Sequence, residues 1–139
     1  MPTRLPLALL ACLLVAGCGS REPTAEAVVR AWSEAFNAGE VERAAAYFAT
    51  GAQVVQGVRS FRIDDADEAL AFARSLPCAR EIVHAEAEGN RVEATFELTS
   101  RPGRRCEGPG RRTGLIVRVE EGQIVLWHEV PARGDGATV

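Results

Sequence analysis

Residues 25–40, AEAVVRAWSEAFNAGE, decide the fold. Val28, Val29, Trp32, Ala35 and Phe36 recur at three- and four-residue spacing, the mark of a helix with one apolar stripe. Thr24 can accept from the first free backbone N–H groups as N-cap, and Gly39 suits the C′ position after Ala38. A helix with an apolar stripe of this kind must pack by that face, and the remainder of the chain has to supply the surface it packs on.

Working outward, Val41, Ala44, Ala45 and Phe48 mark the inward side of a second helix over residues 40–49, ended by Thr50-Gly51. A strand over 52–56 is expected to pair with 59–63. Asp65-Ala66-Asp67-Glu68 then sets an acceptor at an N-cap and a carboxylate three residues on, a capping box. The third helix carries Leu70, Phe72, Ala73 and Leu76 as far as Pro77.

The second half alternates in the manner of strands. Residues 81–88 and 91–99 flank Gly89-Asn90, and 114–120 and 123–130 flank Glu121-Gly122. Two-residue turns fix register. Counting back from the turns puts Glu81, Val83, Ala85 and Ala87 on the buried face against Leu98, Phe96, Ala94 and Val92. The same counting puts Leu115, Val117 and Val119 on the core side with His128, Leu126 and Ile124. Ile116, Arg118, Trp127 and Val125 then fall on the other side.

Helix, short helix, hairpin, helix and a long antiparallel sheet is similar to the element order of the nuclear transport factor 2-like superfamily, including its SnoaL-like branch. The local matches are Ala35-Phe36-Asn37-Ala38-Gly39-Glu40, Tyr47-Phe48-Ala49 and Gly122-Gln123-Ile124, and they span residues 25–130. The resemblance implies an α+β cone, a strongly curved antiparallel sheet wrapped around a long N-terminal helix, with a pocket opening between them. The superfamily's steroid-isomerase and cyclase-like members use strand-borne or pocket aspartates, often with a tyrosine from the first helix. Here Asp64, Asp65, Asp67 and Asp135 fall at a helix start or in the tail, and the single tyrosine, Tyr47, lies in the second helix.

The N-terminus carries a different signal. Arg4 precedes an apolar run from Leu5 to Val15, about 11 residues against the ~20 needed to span a bilayer, and small residues Ala16-Gly17 stand before Cys18. Val15-Ala16-Gly17-Cys18 resembles the bacterial lipobox. That resemblance implies removal of residues 1–17, acylation of Cys18 and a lipid anchor on the extracytoplasmic side of a membrane in the cell envelope. Buried acyl carbons contribute ~0.8 kcal/mol each, so two or more chains hold a protein firmly. Residues 18–23 become a tether, 24–131 the domain, and 132–139 a disordered tail.

Composition sets further bounds. With 139 residues, 47% hydrophobic and 25% charged, the chain makes one ordinary packed domain. Losing Arg4 with the leader moves the net charge from -3 to -4, which argues against a nucleic-acid partner. All 16 basic residues are Arg. Five of them, Arg101, Arg104, Arg105, Arg111 and Arg112, crowd one loop and make a positive patch for anionic headgroups or an acidic partner.

Cys78 and Cys106 remain after processing, an even number in an oxidising compartment, and the hairpin register brings them within reach of a disulfide. No cysteine or histidine stands at metal-ligand spacing, and no metal or cofactor is expected. His128, on the expected core face, and Glu81 are the candidate acid–base pair. Trp32, Phe36, Tyr47 and Phe96 complete the candidate pocket lining. Three readings follow: binding of a small apolar ligand or an envelope protein, an isomerase, cyclase or hydrolase using His128 and Glu81, and a homodimer through Trp127, Ile116 and Arg118.

Overall fold

A computed structural model describes residues 19 and 21–134. The leader, the acylation position Cys18 and residues 135–139 lie outside the described residues. The chain builds α1 (Ala25–Asn37), α2 (Val41–Ala45), β1 (Phe48–Gln56), β2 (Arg59–Ile63), α3 (Ala66–Ser75), β3 (Ala79–Glu88), β4 (Arg91–Thr99), β5 (Arg112–Glu120) and β6 (Gln123–Val130). The sheet runs β2-β1-β6-β5-β4-β3, antiparallel except where β1 meets β6.

The caps behave as the sequence predicts. Thr24 accepts from Ala27 N, and Ala38 closes α1 before Gly39 at φ 81°. At α3, Asp65 Oδ1 accepts from Glu68 N as expected of the N-cap, while Glu68 Oε2 accepts from Asp64 N, one residue before the N-cap, a variant of the expected capping box. The second helix is shorter than expected. It ends at Ala45, and Phe48 and Ala49 belong to β1, where Gly51 at φ 83° bends the strand rather than ending a helix. Between Phe48 and Gln53 the register against β6 slips, which adds to the sheet's curvature.

Two single-residue bulges rearrange the faces. On β3, Ile82 opposes Phe96 and His84 opposes Thr95, so Val83 is the extra residue. On β6, Ile124 opposes Val119 and Leu126 opposes Arg118, so Val125 is extra. One inserted residue sends every side chain beyond it to the opposite face. The consequences correct three expectations. Trp127 turns into the core beside Val117, with no exposed surface, and His128 turns out beside Ile116. Glu81 turns out against Glu97, leaving Arg80 and Ile82 on the inner side. A contact face built on Trp127 is therefore ruled out, although Ile116 and Arg118 do share the outer face with His128.

The stripe of α1 lies in the curve of the sheet. Trp32 stacks on Phe36 with centroids 5.4 Å apart and meets Phe96 and Trp127 edge-on at 6.3 and 4.4 Å. Phe48 and Phe72 close the other side, Phe72 lying 5.7 Å from Trp127. Edge-to-face pairs of this kind add about 0.5–1.5 kcal/mol each beyond area burial.

The end of the domain differs from the expected tail. Ala132 is buried and Arg133 pairs with Glu86 at 3.1 Å and with Glu93, so the chain stays docked on the sheet to that point. Gly114 permits this, since a Cβ there would lie 2.7 Å from the Pro131 carbonyl oxygen.

Candidate functional site

Three regions compete for the role of a site. The interior of the cone is the first, because a pocket was expected there. Trp32, Phe36 and Phe96 are all present, but at 1%, 0% and 0% exposure they are core, interlocked with one another rather than lining a space. Tyr47 is half-buried at the turn between α2 and β1, where its carbonyl accepts from Ile124 N.

The interior does hold one ionic feature that counting from the turns concealed. Arg80, with 7% of its side chain exposed, donates from Nη2 to Glu129 Oε1 at 2.6 Å, and its guanidinium lies 5.7 Å from the Trp127 ring. Burial pulls the Arg80 pKa down, against the raising effect of Glu129. Its backbone is equally committed: Ser33 Oγ and Asn37 Nδ2 donate to the carbonyl, and Asn37 Oδ1 accepts from the amide N–H. Arg80 Nε and Nη1, with the indole N–H groups of Trp32 and Trp127, have no protein partner. These donors are enclosed by the packed aromatic core, and among the described residues Glu129 is the carboxylate paired with Arg80.

The second region is a hollow of about 350 Å³ between α2, β1, β2 and α3. It exists because α2 and α3 face one another through small residues, Ala45, Ala66 and Ala69, while Phe48, Ile63 and Leu70 supply an apolar floor. Glu42, Thr50, Asp65 and Asp67 are its polar lining. A volume at the lower end of the 300–1,000 Å³ common for small-ligand sites, with mostly apolar walls and few polar groups, suits a small apolar molecule. No residue of the expected pocket lines it. The only trace in the sequence is the run of alanines on both helices, which also reads as ordinary helix propensity.

A smaller groove of about 190 Å³ runs along the outer face, where His84, Glu86, Glu93, Thr95 and Ile116 meet Pro131 and Arg133 of the docked tail. Glu93 is held below the usual carboxylate range by its hydrogen bond from Arg91, which outweighs the opposing effect of burial, with a lesser contribution from the charge of Arg133. His128 lies on this same face, opposite Val55 and Ile116. The expected partners Glu81 and His128 therefore have no cavity in common, and β5 and β4 separate their strands. Among the described residues, no three of His, Cys, Asp and Glu are placed to hold a metal ion.

The cysteines meet as expected, Sγ to Sγ at 2.00 Å with Cα atoms 4.8 Å apart, across a sequence separation of 28. The bulge at Val83 shifts the opposing residue from Arg101 to Ser100, whose Oγ accepts from Cys106 N, and the loop has slack enough to absorb the difference. Much of the arginine patch proves structural. Arg101 donates to the Leu76 carbonyl at 2.6 Å beneath the Phe36 ring, and Arg104 donates to the Arg74 carbonyl at 2.6 Å. Both cap the carbonyl end of α3, where cations also favour the helix dipole. Arg105, Arg111 and Arg112 stay exposed.

Comparison with known proteins agrees with this architecture. The SnoaL-like domain model matches residues 29–127. No curated protein matches the sequence. Among solved structures, a nuclear transport factor 2-like protein of unknown function from Cytophaga hutchinsonii superposes with a TM-score of 0.65 at 13% identity, over 80% of this chain and 92% of that one. A polyketide cyclase candidate from Sinorhizobium meliloti gives 0.61 at 12% identity, over 74% and 93%. A de novo designed protein with a curved β-sheet gives 0.63 at 17%, over 81% and 88%. Identities this low carry the fold and not the reaction. The alternation of helices and curved sheet, with the matched span running from the middle of α1 into β6, makes this chain a member of the SnoaL-like family, of nuclear transport factor 2-like fold.

Proposed function

We propose that this protein is a lipoprotein of a bacterial cell envelope, anchored through Cys18, whose domain binds a small, largely apolar molecule without transforming it. The observation that carries the reading is the hollow between α2 and α3, a preformed apolar space outside a core that aromatic side chains fill. Catalysis by the expected pair has no geometric support, since His128 and Glu81 are on the outer face on separated strands. Native mass spectrometry of exported protein tests the binding. A retained small molecule that Ala69→Phe displaces supports it, whereas a ligand unaffected by filling the hollow speaks against it.

One observation favours an enzyme as the second reading. Arg80 is a buried cation with Nε and Nη1 free of protein partners, a group that would steady a developing oxyanion if the packed interior opened to a substrate. A cyclase or isomerase of that kind would rest on Arg80 and Glu129 in place of His128 and Glu81. Loss of turnover in Arg80→Met, on a substrate found by screening, would separate it from the binding reading.

A further inference from the structure

The two ends of the domain differ, and the chain enters the fold at one of them. α1 begins beside the β5–β6 turn: the Pro23 ring lies on Gly122, 3.4 Å from where a Cβ would be. The β3–β4 turn sits next to it, Asn90 O accepting from Val119 N at 2.9 Å. β1 also starts at this end, Phe48 opposing Ile124, and so does α3, because Ile63 pairs with Ala52 early in β1. At the opposite end lie the carbonyl terminus of α3, the disulfide, the arginine loop and the β1–β2 turn with Val58 fully exposed. Nine-residue strands separate the ends by roughly 30 Å.

We infer that the lipidated protein stands upright on its membrane, with the β3–β4 and β5–β6 turns and the hollow toward the bilayer and the arginine loop held out of headgroup reach. The inference rests on the lipoprotein reading. Five residues from Cys18 to Pro23 stretch to about 18 Å at most, shorter than the domain is long. A tether of that length leaving from one end cannot bring the other end to the surface without laying the domain on its side. The turn end carries Glu88, Glu120 and Glu121 against Arg91, and none of the exposed large apolar residues Val58, Phe61 and Val83 lies in its turns, so it rests beside a lipid surface without inserting. The hollow's apolar ligand is then taken from the membrane side, and Arg105, Arg111 and Arg112 are presented to whatever anionic component faces the protein from beyond.

The test uses the full lipidated protein on phosphatidylcholine vesicles containing a headgroup-attached nitroxide quencher, with a bimane fluorophore on Glu120→Cys or on Val58→Cys. The Glu120 label is expected to lose most of its emission and the Val58 label little. Equal loss, or a reversed order, overturns the orientation. Inserting twenty Gly/Ser residues after Ser20 should abolish the difference between the labels, and a difference that persists overturns the tether as its cause. Phosphatidylglycerol in the vesicles should change neither label, whereas salt-sensitive quenching at Val58 would mean that the arginine loop binds headgroups after all. If the unlabelled protein fails to float with vesicles, the lipoprotein reading itself has failed, which is a separate outcome from floating with the wrong end down.

Discussion

Arg80 and Glu129 form an ion pair across the inside of the cone, Nη2 to Oε1 at 2.6 Å, joining the edge strand β3 to β6 over the two strands between them. Arg80 is nearly fully buried and Glu129 largely so, which makes the pair expensive to break from one side. Glu129→Leu leaves a guanidinium without its carboxylate and should cost about 3 kcal/mol in urea unfolding. The double variant Arg80→Met, Glu129→Leu should recover most of that loss, because apolar replacements of similar volume commonly substitute for such a pair. Additive losses would mean that the pair contributes nothing as a unit.

The bulge at Val125 sets up a paired prediction on adjacent residues. Trp127→Ala opens the centre of the aromatic cluster and should destabilise the protein by about 3–5 kcal/mol. His128→Ala, on the outer face, should cost less than about 1 kcal/mol and leave ligand affinity unchanged. Thermal unfolding of the two variants decides the matter, and the opposite order of losses would restore the unbulged register.

Cys78→Ser together with Cys106→Ser should lower stability by roughly 3–4 kcal/mol, the chain-entropy value for a loop closed across a sequence separation of 28. Loosening should extend to the end of α3, because Arg101 and Arg104 reach its carbonyls from the same loop. Hydrogen exchange at Arg74 to Leu76 measures it, and unchanged protection there would show that the loop holds its place without the bond.

Acid should loosen the tail. Glu93 is held below the usual carboxylate range by its hydrogen bond from Arg91, so its contribution is complete above the unfolded carboxylate pKa, about 4.3, and disappears as pH falls through its lower folded value. Arg133 loses one of its two carboxylate partners at that point. An NMR titration following Glu93 together with the Arg133 amide should show both moving at one pH below about 4.3, and independent transitions would uncouple the tail from Glu93.

Much of this architecture was legible because its signals are local. Thr24, Gly39 and the Asp65–Glu68 box mark their helices through single residues, and the Gly89-Asn90 and Glu121-Gly122 turns place both hairpins. The candidate site was not legible, for a reason that the same hairpins explain. Each bulge falls in an apolar stretch, Ile82-Val83 and Ile124-Val125-Leu126-Trp127, where alternation is lost and nothing in composition says which residue is extra. Counting from the turn stays correct up to the bulge and is inverted beyond it, which exchanges His128 for Trp127 and Glu81 for Arg80. The hollow was hidden differently: it is made by what alanines lack, and a missing side chain leaves no motif.

The most direct measurement is an NMR titration of the lipid-free mature chain with decanol, a small apolar probe. That form retains the whole core, which is built from residues 25–132. Saturable shifts centred on Ala45, Phe48, Ile63, Ala69 and Leu70, and abolished by Ala69→Phe, are the predicted result. Shifts centred instead on Arg80 and Glu129, or none that saturate, would contradict the assignment of the hollow as the binding site.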